Sequence, residues 1–196
     1  MTPRGERGRG VLRTLRRDVR FCGRHLLFNV IAGSAVVPRP LRSRLYRRLG
    51  LSVGSSNFYP HIRFLLSGDG RLVIGDRCMV NEGVVIDRSA NITIGDGAAV
   101  GPDVLFCTSS HALGDSRQRA AAVVSAPIAV GAGAWIGARA ILLPGAEVGP
   151  GAVVAAGAVV TGRCDADGLY AGVPARRIKD LAPDESPALA GWLHNR

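Results

Sequence analysis

The chain has 196 residues, 26 of them glycine and only 5% aromatic, with a formal charge of +10. That length buries a real core in one main domain, but so much glycine with so few rings argues against an ordinary packed globule and for short strands joined by corners. Thirteen arginines against Glu6 and Asp18 leave residues 1–50 at +11, so the other 146 residues sum to −1; the basic character belongs to one end and says little about what the rest binds.

Residues 1–10, MTPRGERGRG, are charged and glycine-rich, a composition expected to stay disordered. From Val11 to about Gly33, apolar residues at 11, 12, 15, 19, 22, 26, 27, 30 and 31 follow helical spacing, with Arg13, Arg16, Arg17, Arg20 and Arg24 on the remainder. A basic amphipathic helix of this kind can lie on an anionic membrane surface. It can equally pack against the side of the protein or on a neighbouring subunit with its arginines solvated. The longest uncharged apolar run, Leu26 to Val37, is too short to span a bilayer, and no small-residue cleavage site follows it. Four well-separated cysteines (Cys22, Cys78, Cys107 and Cys164) show no ligand spacing and suit a reducing compartment. A cytoplasmic protein is expected. Pro38 and Pro40 break the first helix, and a second short basic helix, Leu41–Leu49, leads to Gly50.

A degenerate repeat begins at Leu51, with early coils at Val53-Gly54 and Phe64–Leu66 and a turn at Ser67-Gly68-Asp69-Gly70. From Ile74 the chain reads in sixes: IGDRCM, VNEGVV, IDRSAN, two further residues, then IGDGAA, VGPDVL and FCTSSH. The register is clearest from Val130 to Asp165, as VGAGAW, IGARAI, LLPGAE, VGPGAV, VAAGAV and VTGRCD. An aliphatic residue opens each of these hexads and Ala or Cys holds its fifth place. Neither the 3.6 period of a helix nor a long strand alternation fits. A short strand plus a corner, repeated, does fit, and it predicts a parallel β-helix whose narrow bore is filled by the opening residue while the small fifth residue lets the backbone turn. Between His111 and Val130 lie 18 residues, three hexads' worth, so each later hexad returns to its own face and 112–127 is expected to be an ejected loop. The predicted organisation is a basic helical segment (1–49), a β-helix (50–168) carrying that loop, and an extension (169–196) with a short helix near 176–181 and a polar tail.

The histidines are few: His25 in the first helix, His61, His111, and His194 in the tail. No trio stands on adjacent coils as a zinc site would need, and no metal is expected. His111 ends a hexad at the mouth of the only long loop, after Thr108, Ser109 and Ser110. A lone histidine is more often structural than catalytic, but the loop mouth favours a general base, provided a second group fixes its tautomer.

Four stretches, in order, resemble one family. VNEGVVID, TSSH before a loop, APIAVGAGAWIGARAILLPG, and AAGAVVT followed by YAGVPARRIK are similar to the hexapeptide-repeat acetyltransferases, in particular the galactoside/maltose O-acetyltransferase-like and xenobiotic acetyltransferase branches. The resemblance covers about Gly50 to Leu181. It implies a left-handed β-helix, against the usual right-handed crossover, assembled as a homotrimer with sites between neighbouring protomers. It implies an acetyl-CoA co-substrate. His111 matches the catalytic base, and the Ala138 N–H matches the oxyanion donor. Trp135 matches a residue beside the pantetheine channel, Ala156 and Thr161 the coenzyme A cleft, Val173 and Pro174 the adenine flank. Arg176 and Lys179 match basic residues near the phosphates. Asn81 and Asp87 match acceptor-pocket positions, although either could instead cap a corner turn. The activity so implied is O-acetylation of a sugar, glycan precursor or glycosylated small molecule. A xenobiotic or amino-sugar N-acetyltransferase is the alternative, and a non-catalytic scaffold docking to membranes a remote one.

Overall fold

A computed structural model of the protein describes residues 4–66 and 68–182, with side chains from Thr14 onward except Arg17. The expected polar tail and His194, and the turn residue Ser67, lie outside the described residues.

The hexad rule builds a parallel β-helix of six coils. Its first face stacks strands Ser52–Val53, Leu72–Ile74, Ile92–Ile94, Ile128–Val130, Glu147–Val148 and Arg163–Cys164. The second stacks Asn57–Phe58, Met79–Val80, Ala99–Val100, Trp135–Ile136, Val153–Val154 and Gly168–Ala171. The third stacks Arg63–Leu65, Val85–Asp87, Leu105–Phe106, Ile141–Leu142 and Val159–Val160. The opening residues Val130, Ile136, Leu142, Val148, Val154 and Val160 and the fifth-place residues Ala134, Ala140, Ala146, Ala152, Ala158 and Cys164 are all at most 3% exposed. Opening positions lie one above another: Val53, Ile74, Ile94, Val130 and Val148 form one column through the first face, and Cys164, fifth in the hexad reading, takes the next opening place because the chain reaches it two residues sooner than from Val130 to Val148. Val130 pairs with Ile94 across the 18-residue excursion, so the excursion leaves the register intact. Burial of the Cys164 thiol in this column pushes it up to about 11.

The first coil would expose a strand edge, and the N-terminal segment covers it. Phe28 packs tilted against Phe64, and Tyr46 meets Phe58 and Phe64 edge-to-face, with ring centroids 5.2–5.4 Å apart. Asn29 donates to the Phe64 carbonyl at 3.0 Å and accepts its N–H at 2.7 Å, pairing as the next strand would. The helix carrying Asn29 differs from expectation. An α-helix, α1, runs Arg4–His25 and continues as a π-helical stretch, Leu26–Ala32, not as one α-helix from 11 to 33. Nor is the stretch from Arg4 to Gly10 disordered: once a helix is nucleated, each added residue costs little, and Arg and Glu are good helix formers that outweigh three glycines. The second helix, α2, spans Arg39–Arg48, starting two residues earlier than expected because Pro40 is accommodated in its first turn.

Two further expectations are corrected. The excursion is not an irregular loop but a β-hairpin, Ser109–Leu113 against Ala120–Ser125, because the AAAVVS run has the β-branched residues to pair and Gly114-Asp115 supplies the turn. The short helix near 176–181 is instead a strand, Arg176–Asp180, antiparallel to Gly168–Ala171. Gly172, at φ +96°, turns the chain back, and six residues of helix would be marginal alone where a ladder to the last coil is available. Arg177 secures it, stacking over the Tyr170 ring at 5.8 Å and donating to Asp180 at 2.7 Å.

Candidate active site

The hairpin is held at its root by a buried carboxylate. Asp87 closes a third-face strand in the second coil and is 2% exposed. One oxygen accepts the Ser89 N–H (3.0 Å) and hydroxyl (2.8 Å). The other accepts the Thr108 N–H (3.1 Å) and the Ser109 hydroxyl (2.6 Å). Burial pushes this carboxyl up, but the hydrogen bonds from Ser109, Ser89 and Thr108 outweigh it and hold the group below its ordinary value. Asp87 therefore positions the first residues of the hairpin.

His111 stands two residues past Ser109. It does not end a coil, as the hexad reading expects, but lies in the hairpin strand facing Val123, just before a bulge in which Ala121 and Ala122 oppose Ala112. Bulges re-aim neighbouring side chains. The ring is exposed, and its Nδ1 lies 2.8 Å from the Ala121 carbonyl oxygen. A carbonyl only accepts, so in the neutral ring Nδ1 carries the proton and Nε2 the lone pair.

The remaining matched residues divide between two corners of the triangular coil. Asn81, Ala138, Ala156, Val173 and Pro174 lie on the corner between second and third faces; Ala138 stacks under Ala156, whose neighbour Gly157 donates to the Ala138 carbonyl at 2.8 Å. Asn81 accepts the Glu82 N–H at 2.8 Å, which caps its corner turn. Among the described residues no acceptor takes the N–H of Ala138, which is half-buried. Ala132 and Ala156 hold the same third place in their hexads and share this feature, so a third-place N–H turned outward belongs to the corner geometry. Trp135 projects from the outer side of the second face, 44% exposed, three residues before Ala138. Asp87, His111 and Thr161 lie on the next corner, between third and first faces. One face of about four residues separates the two corners, roughly 13 Å at ~3.3 Å per residue. His111 and Ala138 therefore belong to different corners of the coil.

Arg176 and Lys179 lie on the outer strand of the C-terminal fold-back and are exposed, beside the exposed Val173 and Pro174. Among the described residues no group of three or more His, Cys, Asp or Glu is placed to hold a metal.

Residues 127–162 match the bacterial transferase hexapeptide family (six repeats). Nodulation protein L of Rhizobium leguminosarum bv. viciae is 41% identical over 63 residues, which span 32% of this chain and 33% of that protein. A hexapeptide-repeat acetyltransferase of Vibrio cholerae O1 biovar eltor, solved with acetyl coenzyme A, superposes with a TM-score of 0.72 at 30% identity, over 82% of this chain and 86% of its own. The chain belongs to the hexapeptide-repeat acetyltransferases. A maltose O-acetyltransferase of Clostridium difficile also superposes at 0.72, with 26% identity over 86% of this chain and 89% of its own.

As a hexapeptide-repeat acetyltransferase, the chain winds its coils in the left-handed sense expected from the family resemblance. Three groups of the candidate site had no assigned role in the sequence reading: the Ala121 carbonyl, the Ser109 hydroxyl and Thr108, which is 0% exposed. Ser109 and Thr108 were visible as an unusual hydroxyl run before His111. The Ala121 carbonyl had no sequence signal, because any residue supplies one.

Proposed function

We propose that this chain transfers the acetyl group of acetyl-CoA to a hydroxyl of a sugar, a glycan precursor or a glycosylated small molecule, with His111 as the general base. The observation carrying this reading is the bond between His111 Nδ1 and the Ala121 carbonyl, which leaves Nε2 as the acceptor of a proton on an exposed ring. The acceptor oxygen attacks the thioester carbonyl carbon while its proton passes to Nε2. Negative charge gathers on the carbonyl oxygen, where the Ala138 N–H is a suitable donor. The C–S bond then breaks and the imidazolium returns its proton to the departing thiolate. Transfer is direct, without an acetylated enzyme.

Because His111 and Ala138 stand on different corners, the complete site takes His111 from one protomer and the Ala138 corner from another, and a closed homotrimer of threefold symmetry repeats that contact three times. Trp135, Ala156, Thr161, Val173 and Pro174 then line the coenzyme cleft, with Arg176 and Lys179 near its phosphates, and Asn81 faces the acceptor. Four unpaired cysteines favour a reducing compartment, and we assign the chain to the cytoplasm.

The test is thioester consumption with a panel of hydroxylated acceptors, comparing wild type with His111→Ala. Removal of a general base costs about 10²–10⁴-fold in rate, with the assembly unchanged by sedimentation. Unchanged turnover would remove His111 from the mechanism.

A further inference from the structure

Helix α1 leaves the aromatic cap as an arm, and where it meets the coils it does so through its C-terminal turns. Arg24 donates to Asp69 at 3.0 Å, and Phe21 and His25 line a cleft of about 490 Å³ with Phe64 and Leu65 of the first coil. On a different side of the arm, Leu15, Val19 and Cys22 recur at helical spacing and are exposed, Leu15 by 57% and Val19 by 64%. Apolar exposure continues through the π-helical stretch, where Leu26, Leu27, Val30 and Ile31 are exposed while Phe28 and Ala32 enter the core. Arg16 and Arg20, four residues apart, occupy another exposed side.

A stripe of aliphatic side chains left in water asks for a cover, and charge decides which. Residues 1–50 carry +11 and the remaining 146 sum to −1. A second copy of the arm would bring like charge against like, and a second copy of the coil body offers almost no compensating charge. Nucleic acid would take the arginines but leave the aliphatic stripe in water. An anionic bilayer surface satisfies both, the stripe entering the headgroup boundary and the arginines meeting the headgroups. We propose that α1 docks this protein on anionic lipid, lying in the interface. It does not cross: among the described residues no helix is long and apolar enough.

The experiment is co-sedimentation of the full chain with vesicles of phosphatidylcholine containing phosphatidylglycerol, and with phosphatidylcholine alone. Wild type is expected to pellet with the anionic vesicles only, less so as salt rises. Leu15→Glu/Val19→Glu should weaken binding at least about tenfold, and Arg16→Glu/Arg20→Glu by about fivefold or more per arginine. Thioester turnover on a soluble acceptor, unchanged in both variants, reports intact folding. The proposal is overturned if wild type stays in the supernatant, or if the Leu15/Val19 variant still pellets as wild type does. It is equally overturned if that variant changes oligomeric state without lipid, which would make the stripe an interface between copies, or if duplex DNA binds in preference to the vesicles.

Discussion

The Ser109 hydroxyl donates to the Asp87 carboxylate at 2.6 Å, and His111 stands two residues further along the same strand. Asp87 thus reaches the proposed base through the backbone it anchors. Asp87→Asn replaces an acceptor of several donors with a group that donates from one side, leaving a buried Thr108 N–H or Ser109 hydroxyl unpaired. A loss of about 1–3 kcal/mol in stability is expected, together with a fall in turnover of roughly 10²-fold, as small misplacements of catalytic groups cost. The fall should appear in kcat, with KM for acetyl-CoA little changed, and a His111 that does not act would show only the stability loss.

The same carboxylate makes a pH prediction. Burial raises it, the hydrogen bonds from Ser109, Ser89 and Thr108 lower it further, and the net is a folded value below the ordinary 3.8. A depressed carboxyl contributes stability that is fully present above its unfolded value and lost as pH falls through the folded one. Thermal melts should therefore be insensitive to this group from neutral pH down to about 5 and should decline below about 4. Asp87→Asn should lack that component of the acid decline.

The bore tolerates change in one direction only. Leu142 is fully buried, and Leu142→Ala should cost about 2–5 kcal/mol through lost burial and a residual cavity. Ala140, also fully buried, sits where the backbone turns; Ala140→Leu adds apolar volume yet should destabilise by about 1–3 kcal/mol or more. Urea titration with a common m-value distinguishes the two from a change in the unfolded state.

Two buried polar groups of the N-terminal cap have opposite accounts. Arg42 is 1% exposed and donates to four carbonyls: Nε to Ala32 at 2.9 Å, Nη1 to Phe58, and Nη2 to Ser34 and Val37, each at 2.7 Å. Arg42→Ala strands all four and should cost about 3–5 kcal/mol, with Arg42→Lys recovering only part because an ammonium lacks the planar fork. The Tyr46 hydroxyl has no partner among the described residues, and burial pushes the phenol up to about 12. Tyr46→Phe should leave stability unchanged or raise it by about 1 kcal/mol. A marked loss would show a partner for that hydroxyl.

Gly101 tests the division of the site between corners. A Cβ there would lie 2.8 Å from the Ala138 nitrogen and 3.0 Å from the Ile136 carbonyl oxygen, both backbone atoms. Gly101→Ala should therefore crowd that N–H and lower turnover by up to about 10²–10³-fold, the usual worth of an oxyanion donor. Mixed assemblies of Gly101→Ala and His111→Ala chains should regain activity, since some sites then join an intact corner to an intact histidine. No recovery on mixing would place both groups of each site on one chain.

Much of the coil was legible because each hexad obeys a local rule. Val130 and Ala134 enter the bore for reasons of size and branching that hold whichever coil lies above, and 18 intervening residues could be counted against a period of six. The hairpin was read only as a loop because Val123 and Val124 pair with His111 and Ser110 across the excursion, a contact that the six-residue period does not encode. The C-terminal strand was misread because Arg176–Asp180 is short and strongly charged, and only the edge presented by Gly168–Ala171 selects its conformation.

By itself the order of residues determined the six-residue period, the bore and the identity of His111 as the histidine at an excursion, because these follow from side-chain size at a fixed spacing. The tertiary structure alone decided that Ala121 holds the His111 tautomer, that Asp87 faces inward to anchor the hairpin, and that His111 and Ala138 stand on separate corners. Those relationships join residues from different coils, or from a coil and a hairpin, and such contacts exist only once the strands have stacked in register.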